Sequence, residues 1–143
     1  DTEPTWSPDG KKIAFTSDRS GSPQIYEINL GEGKAKRLSF EGIYNARARY
    51  SPDGESITLV HSTGGTYHIA ILDLNNSSIT ILTEGKLDES PSFAPNGSMI
   101  IYATTGRRGG QLAAISIDGR IKQRLGVDYQ GDVREPAWGP FLK

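Results

Sequence analysis

Apolar and polar positions alternate along this chain in short blocks, and no window sustains the 3.6-residue spacing of an amphipathic helix. Three β-branched and aromatic runs stand out: Lys12-Ile13-Ala14-Phe15-Thr16-Ser17, Ser56-Ile57-Thr58-Leu59-Val60-His61 and Met99-Ile100-Ile101-Tyr102-Ala103-Thr104. Each is apolar on both faces, the pattern of a strand covered from two sides. Just before each run comes a turn signal, Ser7-Pro8-Asp9-Gly10, Ser51-Pro52-Asp53-Gly54 or Ala94-Pro95-Asn96-Gly97. Proline fixes φ there, and the residues that follow tolerate left-handed backbone, so the chain reverses tightly. The segment entering the turn, such as Glu3-Pro4-Thr5-Trp6-Ser7, carries an early proline with no N–H to give, which suits an inner strand that lacks one ladder bond. Links rich in Gly, Ser and Arg at 18–23, 62–65 and 105–110 are predicted to face water, and each leads to a third strand typified by Ile25-Tyr26-Glu27-Ile28-Asn29-Leu30. The fourth strand of each unit is the most polar, as in Lys34-Ala35-Lys36-Arg37-Leu38, which suits an edge that must resist stray pairing.

These blocks repeat. Trp6, Tyr50, Phe93 and Trp138 head the successive turn signals at spacings of 44, 43 and 45 residues. Ile13, Ile57 and Ile100 open the second strands in step, and Arg37-Leu38-Ser39, Ile81-Leu82-Thr83 and Arg124-Leu125-Gly126 close the units. Four strands in a period of about 40–45 residues is the signature of a β-propeller blade. The predicted class is therefore all-β, a β-propeller fragment of three four-stranded antiparallel blades at about 3–39, 47–83 and 90–126, plus the inner strand of a fourth at 135–141. That fourth inner strand has no successors before Lys143, so its partner strands are expected to precede Asp1. An open arc of this kind is expected to self-associate or to be marginally stable in isolation.

Composition removes several function classes. Sixteen Lys and Arg against seventeen Asp and Glu leave a formal charge of −1, so no global field draws the chain to nucleic acid or to an anionic membrane. No apolar run approaches the roughly 18 residues of a spanning helix, so direct membrane insertion is not expected. The absence of cysteine rules out disulfides, thiolate metal sites and a cysteine nucleophile.

The motif Pro-x-Trp-Ser-Pro-Asp-Gly, followed by Ile13-Ala14-Phe15-Thr16-Ser17-Asp18-Arg19 and Ile25-Tyr26 and repeated at this period, resembles the propeller repeats shared by the TolB family, the tricorn protease and the prolyl oligopeptidases. Phe40-Glu41-Gly42, His68-Ile69-Ala70, Leu87-Asp88-Glu89-Ser90-Pro91, Ser116-Ile117-Asp118-Gly119-Arg120 and Pro136-Ala137-Trp138-Gly139-Pro140-Phe141-Leu142 are most similar to the TolB family, over the last half of its sequences. The resemblance implies a non-enzymatic periplasmic scaffold of a Gram-negative Tol-Pal system, supporting outer-membrane integrity and constriction during cell division. Its implied partners are the lipoprotein Pal, TolA and other envelope proteins, and the disordered peptide segments of colicins. The alternative is a gating propeller cut from a prolyl oligopeptidase-type or tricorn-type serine peptidase, which a hydrolase domain fused after Lys143 would favour.

In the family, Pal docks on the loops that enter the innermost strands. That implies a partner-binding rim of Thr2, Glu3, Asn45, Ala46, Arg47, Asp88, Glu89, Ser90, Arg134 and Glu135. The structural turns repeat nearly unchanged, whereas these segments differ in charge from blade to blade, as a rim reading an asymmetric partner would; the plainer reading is a solvated loop. His61 and His68 fall on polar repeat positions, and with no Gly-x-Ser-x-Gly elbow or His-x-x-x-His pair no catalytic residue is expected. No cofactor or metal is expected either. Asp88 and Glu89 beside Asp1 and Glu3 could offer calcium its oxygen ligands only within a full ring. Asn75, Asn76 and Asn96 read as turn residues, and Arg107, Arg108 and 34–37 as solvated basic patches.

Overall fold

A computed structural model describes residues 2–85, 87–106 and 109–125. The expected closing strand at 135–141, with Arg134 and Glu135, lies outside the described residues, as do Asp1, Arg107 and Arg108. Twelve strands are described, in three four-stranded antiparallel sheets. The first holds β1 (Thr2–Trp6), β2 (Lys12–Ser17), β3 (Gln24–Asn29) and β4 (Ala35–Arg37) in that order. The second holds β5 (Tyr44–Tyr50), β6 (Ser56–Ser62), β7 (His68–Asp73) and β8 (Ile79–Ile81). The third holds β9 (Asp88–Phe93), β10 (Met99–Gly106), β11 (Gly109–Ser116) and β12 (Lys122–Arg124). Inner strands β1, β5 and β9 lie side by side, so consecutive sheets stack as neighbouring blades.

The alternation along each middle strand explains the stacking. Ile57 and Leu59 of β6, with Ala70 and Leu72 of β7, face the first sheet and join Ala14, Ile25 and Leu38 in one core cluster. The intervening Val60 and Ile69 face the other way, into a second cluster with Ile100, Tyr102, Ala113 and Ile115 of the third sheet. A strand with period-two alternation between two apolar neighbours must be apolar throughout, which is why the middle strands stand out in the sequence. The outer strands β4 and β12 are almost wholly exposed, in keeping with their charge.

The first two turn signals share one side-chain geometry. Ser7 Oγ donates to Asp9 Oδ1 at 2.6 Å, and that oxygen also accepts from Lys11 N at 3.0 Å. Ser7 Oγ in turn accepts from Lys12 N at 3.0 Å, and Gly10 takes φ 73°. Ser51, Asp53, Glu55 and Ser56 repeat the arrangement at 2.6, 3.0 and 3.0 Å. Ser116 and Asp118 use it again between β11 and β12. The serine hydroxyl, and after it the backbone N–H, hold the carboxyls of Asp9, Asp53 and Asp118 below the ordinary value of 3.8. A depressed folded pKa means that this contribution is present above pH 3.8 and is lost as pH falls through the still lower folded values. In urea titrations between pH 5 and pH 2.5, Asp53→Asn is therefore expected to flatten the acid loss of stability relative to the parent chain. An unchanged acid slope would show that the turn carboxyls do not contribute.

Two local features differ from the sequence reading. The link at 105–110 is shorter than expected, because pairing continues through Thr105 with Gly110 and Gly106 with Gly109. Glycine is depleted in strands for want of a packing side chain, but it does not forbid a ladder. The inner strands are also irregular. The register slips between Thr2 and Thr5, between Ala46 and Arg49, and between the partners of Ile101 and Ala103. Each slip inserts one extra residue, a β-bulge.

Candidate functional site

The three bulges are the same feature at the same repeat offset. Glu3, Arg47 and Ser90 take φ of 56°, 58° and 56°, left-handed backbone that disfavours any residue with a Cβ. None is glycine or asparagine. Strain of this kind, of the order of 1–3 kcal/mol per residue, persists only where surrounding structure holds it, and it concentrates at binding and active sites. Here the holding structure is the ladder on either side of each bulge. Thr2, Asn45 and Asp88 lie on the rim side of it, and Thr5, Arg49 and Ser92 lie on the other side.

The bulges converge on one concavity of about 180 Å3 between the inner strands, lined by Glu3, Arg47, Arg49, Ser90 and the rings of Pro4 and Pro91. Glu3 Oε2 and Arg47 Nη1 are paired at 3.3 Å across the first and second sheets, both side chains partly exposed. A pair this accessible contributes at most about 1 kcal/mol, so it orients the rim more than it stabilises the fold. Tyr44 connects the segments. Its ring meets Tyr67 edge to face at 5.1 Å, and burial first, then the charge of Glu3, raises its phenol above the ordinary value of 10. The charge of Glu89 acts in the same direction, so Tyr44 lies within the field of rim carboxylates from the first and third sheets.

The expected rim residues divide by accessibility. Thr2 is exposed, and Glu3, Arg47 and Glu89 are half-buried. Ala46, Asn45, Asp88 and Ser90 are buried. Asn45 is wholly enclosed, with Nδ2 donating to Gln24 Oε1 at 2.8 Å and to Glu41 O at 2.7 Å. Its Oδ1 therefore accepts, and the facing His61 Nδ1 at 2.7 Å must carry the hydrogen. Burial lowers the His61 pKa below 6.5, the charge of Glu41 opposing it, which suits a neutral ring fixed as the Nδ1–H tautomer. Gln24 Oε1 also accepts from Ser39 Oγ at 2.6 Å. This network ties the second strand segment of the rim to the sheet before it. His61 is thus a structural donor to Asn45.

Two residues flanking the second bulge carry little signal in the sequence. Tyr44 has the pattern of an ordinary loop aromatic, and Arg49 that of one more cation in an alternating strand. The repeat offsets could have flagged Arg49, because its counterparts Thr5 and Ser92 are small and neutral. Among the described residues, no group of three His, Cys, Asp or Glu side chains is arranged to hold a metal ion. No helix among them is long and apolar enough to cross a membrane.

Comparison with known proteins gives this geometry its context. The curated Tol-Pal system protein TolB of Bordetella pertussis is 50% identical over 143 residues, all of this chain and 32% of that protein. TolB of Xanthomonas campestris pv. campestris is 53% identical over 117 residues, 80% of this chain and 26% of the relative. The chain thus spans about a third or less of the length of these relatives. The crystal structure of TolB from Acinetobacter baumannii superposes with a TM-score of 0.89 at 52% identity, covering 96% of this chain and 34% of that one. A puromycin-hydrolyzing peptidase from Mycobacterium tuberculosis superposes with a TM-score of 0.69 at only 16% identity, covering 87% of this chain and 20% of that one, a likeness of fold alone. The family model described as the TolB beta propeller domain matches residues 1–142, and with that match the chain belongs to the TolB β-propeller domain family.

Proposed function

We propose that this chain is the propeller part of a non-enzymatic scaffold in the Tol-Pal system, working in the periplasm and binding the lipoprotein Pal on the rim formed by its inner-strand bulges. The observation that carries this reading is the trio Glu3, Arg47 and Ser90, left-handed at one repeat offset and chemically different in each sheet. A structural necessity would have selected glycine three times over. The names of its relatives, Tol-Pal system protein TolB, supply the system and support Pal as the proposed partner. In this reading Thr2, Glu3, Arg47 and Glu89 meet Pal directly, whereas Asn45, Ala46, Asp88 and Ser90 hold them in position. Arg134 and Glu135 extend the rim by sequence equivalence. Through Pal the scaffold would support outer-membrane integrity and constriction at division, and TolA and colicin segments are its further proposed partners.

Charge reversal tests the rim. Glu89→Lys is expected to weaken binding of purified Pal by roughly tenfold or more, equivalent to about 1.4 kcal/mol, by setting like charges against each other. The effect should shrink as salt rises toward 0.5 M. Lys34→Glu, far out on the link before β4, should leave the affinity unchanged. Equal affinity of the Glu89 variant and the parent, in calorimetric titration at moderate salt, would refute docking on this rim.

A further inference from the structure

The two joints between consecutive sheets share one frame and differ in chemistry. In the first, Gln24 bonds to Asn45, and Leu59 lies on β6 two residues before the His61 that faces Asn45; the equivalent positions of the second, 44 or 43 residues on, are His68, Asp88 and Tyr102. The frame is the same in detail. Asn45 N donates to Pro23 O at 2.9 Å, and Asp88 N donates to Tyr67 O at 3.0 Å. His61 Nδ1 donates to Asn45 Oδ1 at 2.7 Å, and Thr104 Oγ1 donates to Asp88 Oδ1 at 2.6 Å. Ile25 N and Ile69 N donate to the hydroxyls of Ser39 and Thr83 at 2.8 and 2.9 Å.

By that correspondence Asp88 Oδ2 takes the role of Asn45 Nδ2. In the first joint that nitrogen gives two hydrogen bonds, to Gln24 Oε1 and Glu41 O. A carboxylate oxygen has none to give. Asp88 Oδ2, His68 Nδ1 and Tyr102 Oη are all buried, and none of them finds a hydrogen-bond partner among the described residues. Three of the four such atoms in the described structure thus fall at these three substituted positions of the second joint. Tyr102 lies two residues before Thr104 on the same face of β10, next to the pair that Thr104 makes with Asp88, and burial first, then the charge of Asp88, raises its phenol. Gly85 closes one wall: a Cβ there would stand 2.3–2.4 Å from the carboxylate oxygens.

Buried polar groups are almost always satisfied, and a water molecule serves where two to four of them converge on a polar space. The donor and acceptor balance suits one. His68 Nε2 accepts from the Thr66 hydroxyl at 2.9 Å if Nδ1 carries the ring hydrogen, which leaves Nδ1–H and the Tyr102 O–H as donors and Asp88 Oδ2 as acceptor. We propose that the second joint contains a binding site for a single water molecule, bridging His68 Nδ1, Tyr102 Oη and Asp88 Oδ2. The water accepts from the first two and donates to the third. Because Asp88 directly precedes Glu89 and Ser90, this solvent bridge anchors the third rim segment where direct amide contacts anchor the second. Its existence does not depend on what the rim binds.

The test is a crystal structure of the chain at a resolution that orders internal solvent. A peak within about 2.6–3.2 Å of all three atoms is expected. In Tyr102→Phe the peak should weaken or vanish, and in the double variant His68→Gln with Asp88→Asn, which recreates the pair of the first joint, it should be replaced by a direct side-chain contact. Two results would overturn the proposal: His68 Nδ1 in direct contact with Asp88 Oδ2 and no solvent between them, or a peak with oxygen ligands at about 2.3–2.6 Å that marks a cation. If crystals fail, water-to-protein cross-relaxation at the Tyr102 and His68 rings in solution detects the same bound water, and its absence in the parent chain would count against the site.

Discussion

Truncation of Leu59 to alanine is expected to lower the free energy of unfolding by about 3–5 kcal/mol, enough to remove a large part of the stability of a domain this size. Leu59 is completely buried at the centre of β6 and packs in the cluster that joins Ile25 and Leu38 of the first sheet to Ala48 and Leu72 of its own. At this level of the joint the two sheets meet through such apolar side chains. The contacts on either side of the lost methyl groups are carried by separate four-stranded ladders, so the backbone cannot collapse into the space without breaking one of them. Most of the cavity should therefore persist, which is the condition for a cost near the top of the usual range. Urea titration followed by tryptophan fluorescence reads the loss. Ile81→Ala, on the exposed outer strand β8, should change stability by no more than about 0.5 kcal/mol. Equal effects of the two substitutions would mean that the sheets do not depend on this packing.

Replacement of Asn45 by leucine should be nearly as damaging, at about 3 kcal/mol or more, although it removes no apolar contact. The leucine withdraws a partner from three groups at once: Gln24 Oε1 keeps only the Ser39 hydroxyl, while the part-buried Glu41 O loses its donor and the buried His61 Nδ1–H its acceptor. Each buried polar group left unpaired costs about 1–3 kcal/mol. Asn45→Asp distinguishes this cause from a simple loss of shape. It keeps the size but turns an acceptor toward Gln24 Oε1 and Glu41 O, so it should also destabilise near neutral pH. The loss should be accompanied by displacement of the His61 ring resonances. Stability equal to that of the parent in both variants would show that the network is incidental.

The legible and illegible parts of this molecule divide along the range of the interactions involved. The blades could be read because their turns are local. Ser51, Pro52, Asp53 and Gly54 complete their own hydrogen bonds within five residues, so the same short string must recur wherever the same turn does. The covered middle strands were equally plain, since a strand packed on both sides is apolar at every position. The bulges were hidden for the opposite reason. Glu3, Arg47 and Ser90 carry no backbone signature of their own, and their left-handed geometry is imposed by flanking ladder pairs whose partners are 14 and 9 positions apart. Nothing in Asn45 or Asp88 announced a buried anchor either. Both have the composition of turn residues, and their roles depend on Gln24, His61 and Thr104, which approach only when two sheets stack. The rim as a location was therefore legible from the repeat, while the division of labour within it was not.

Each bulge has a consequence for what the inner strands can tolerate. Side chains on a regular strand point alternately to its two sides, and one additional residue reverses that alternation. Each of the three described inner strands is thus two half-strands in opposite phase, joined at Glu3, Arg47 or Ser90. Exchange of one amino acid for another at the junction leaves the phase intact, so the mouth is free to diversify its chemistry. Removal of a single residue would swing Thr2, Asn45 or Asp88 to the wrong side of the sheet, which makes length, more than identity, the invariant of this surface.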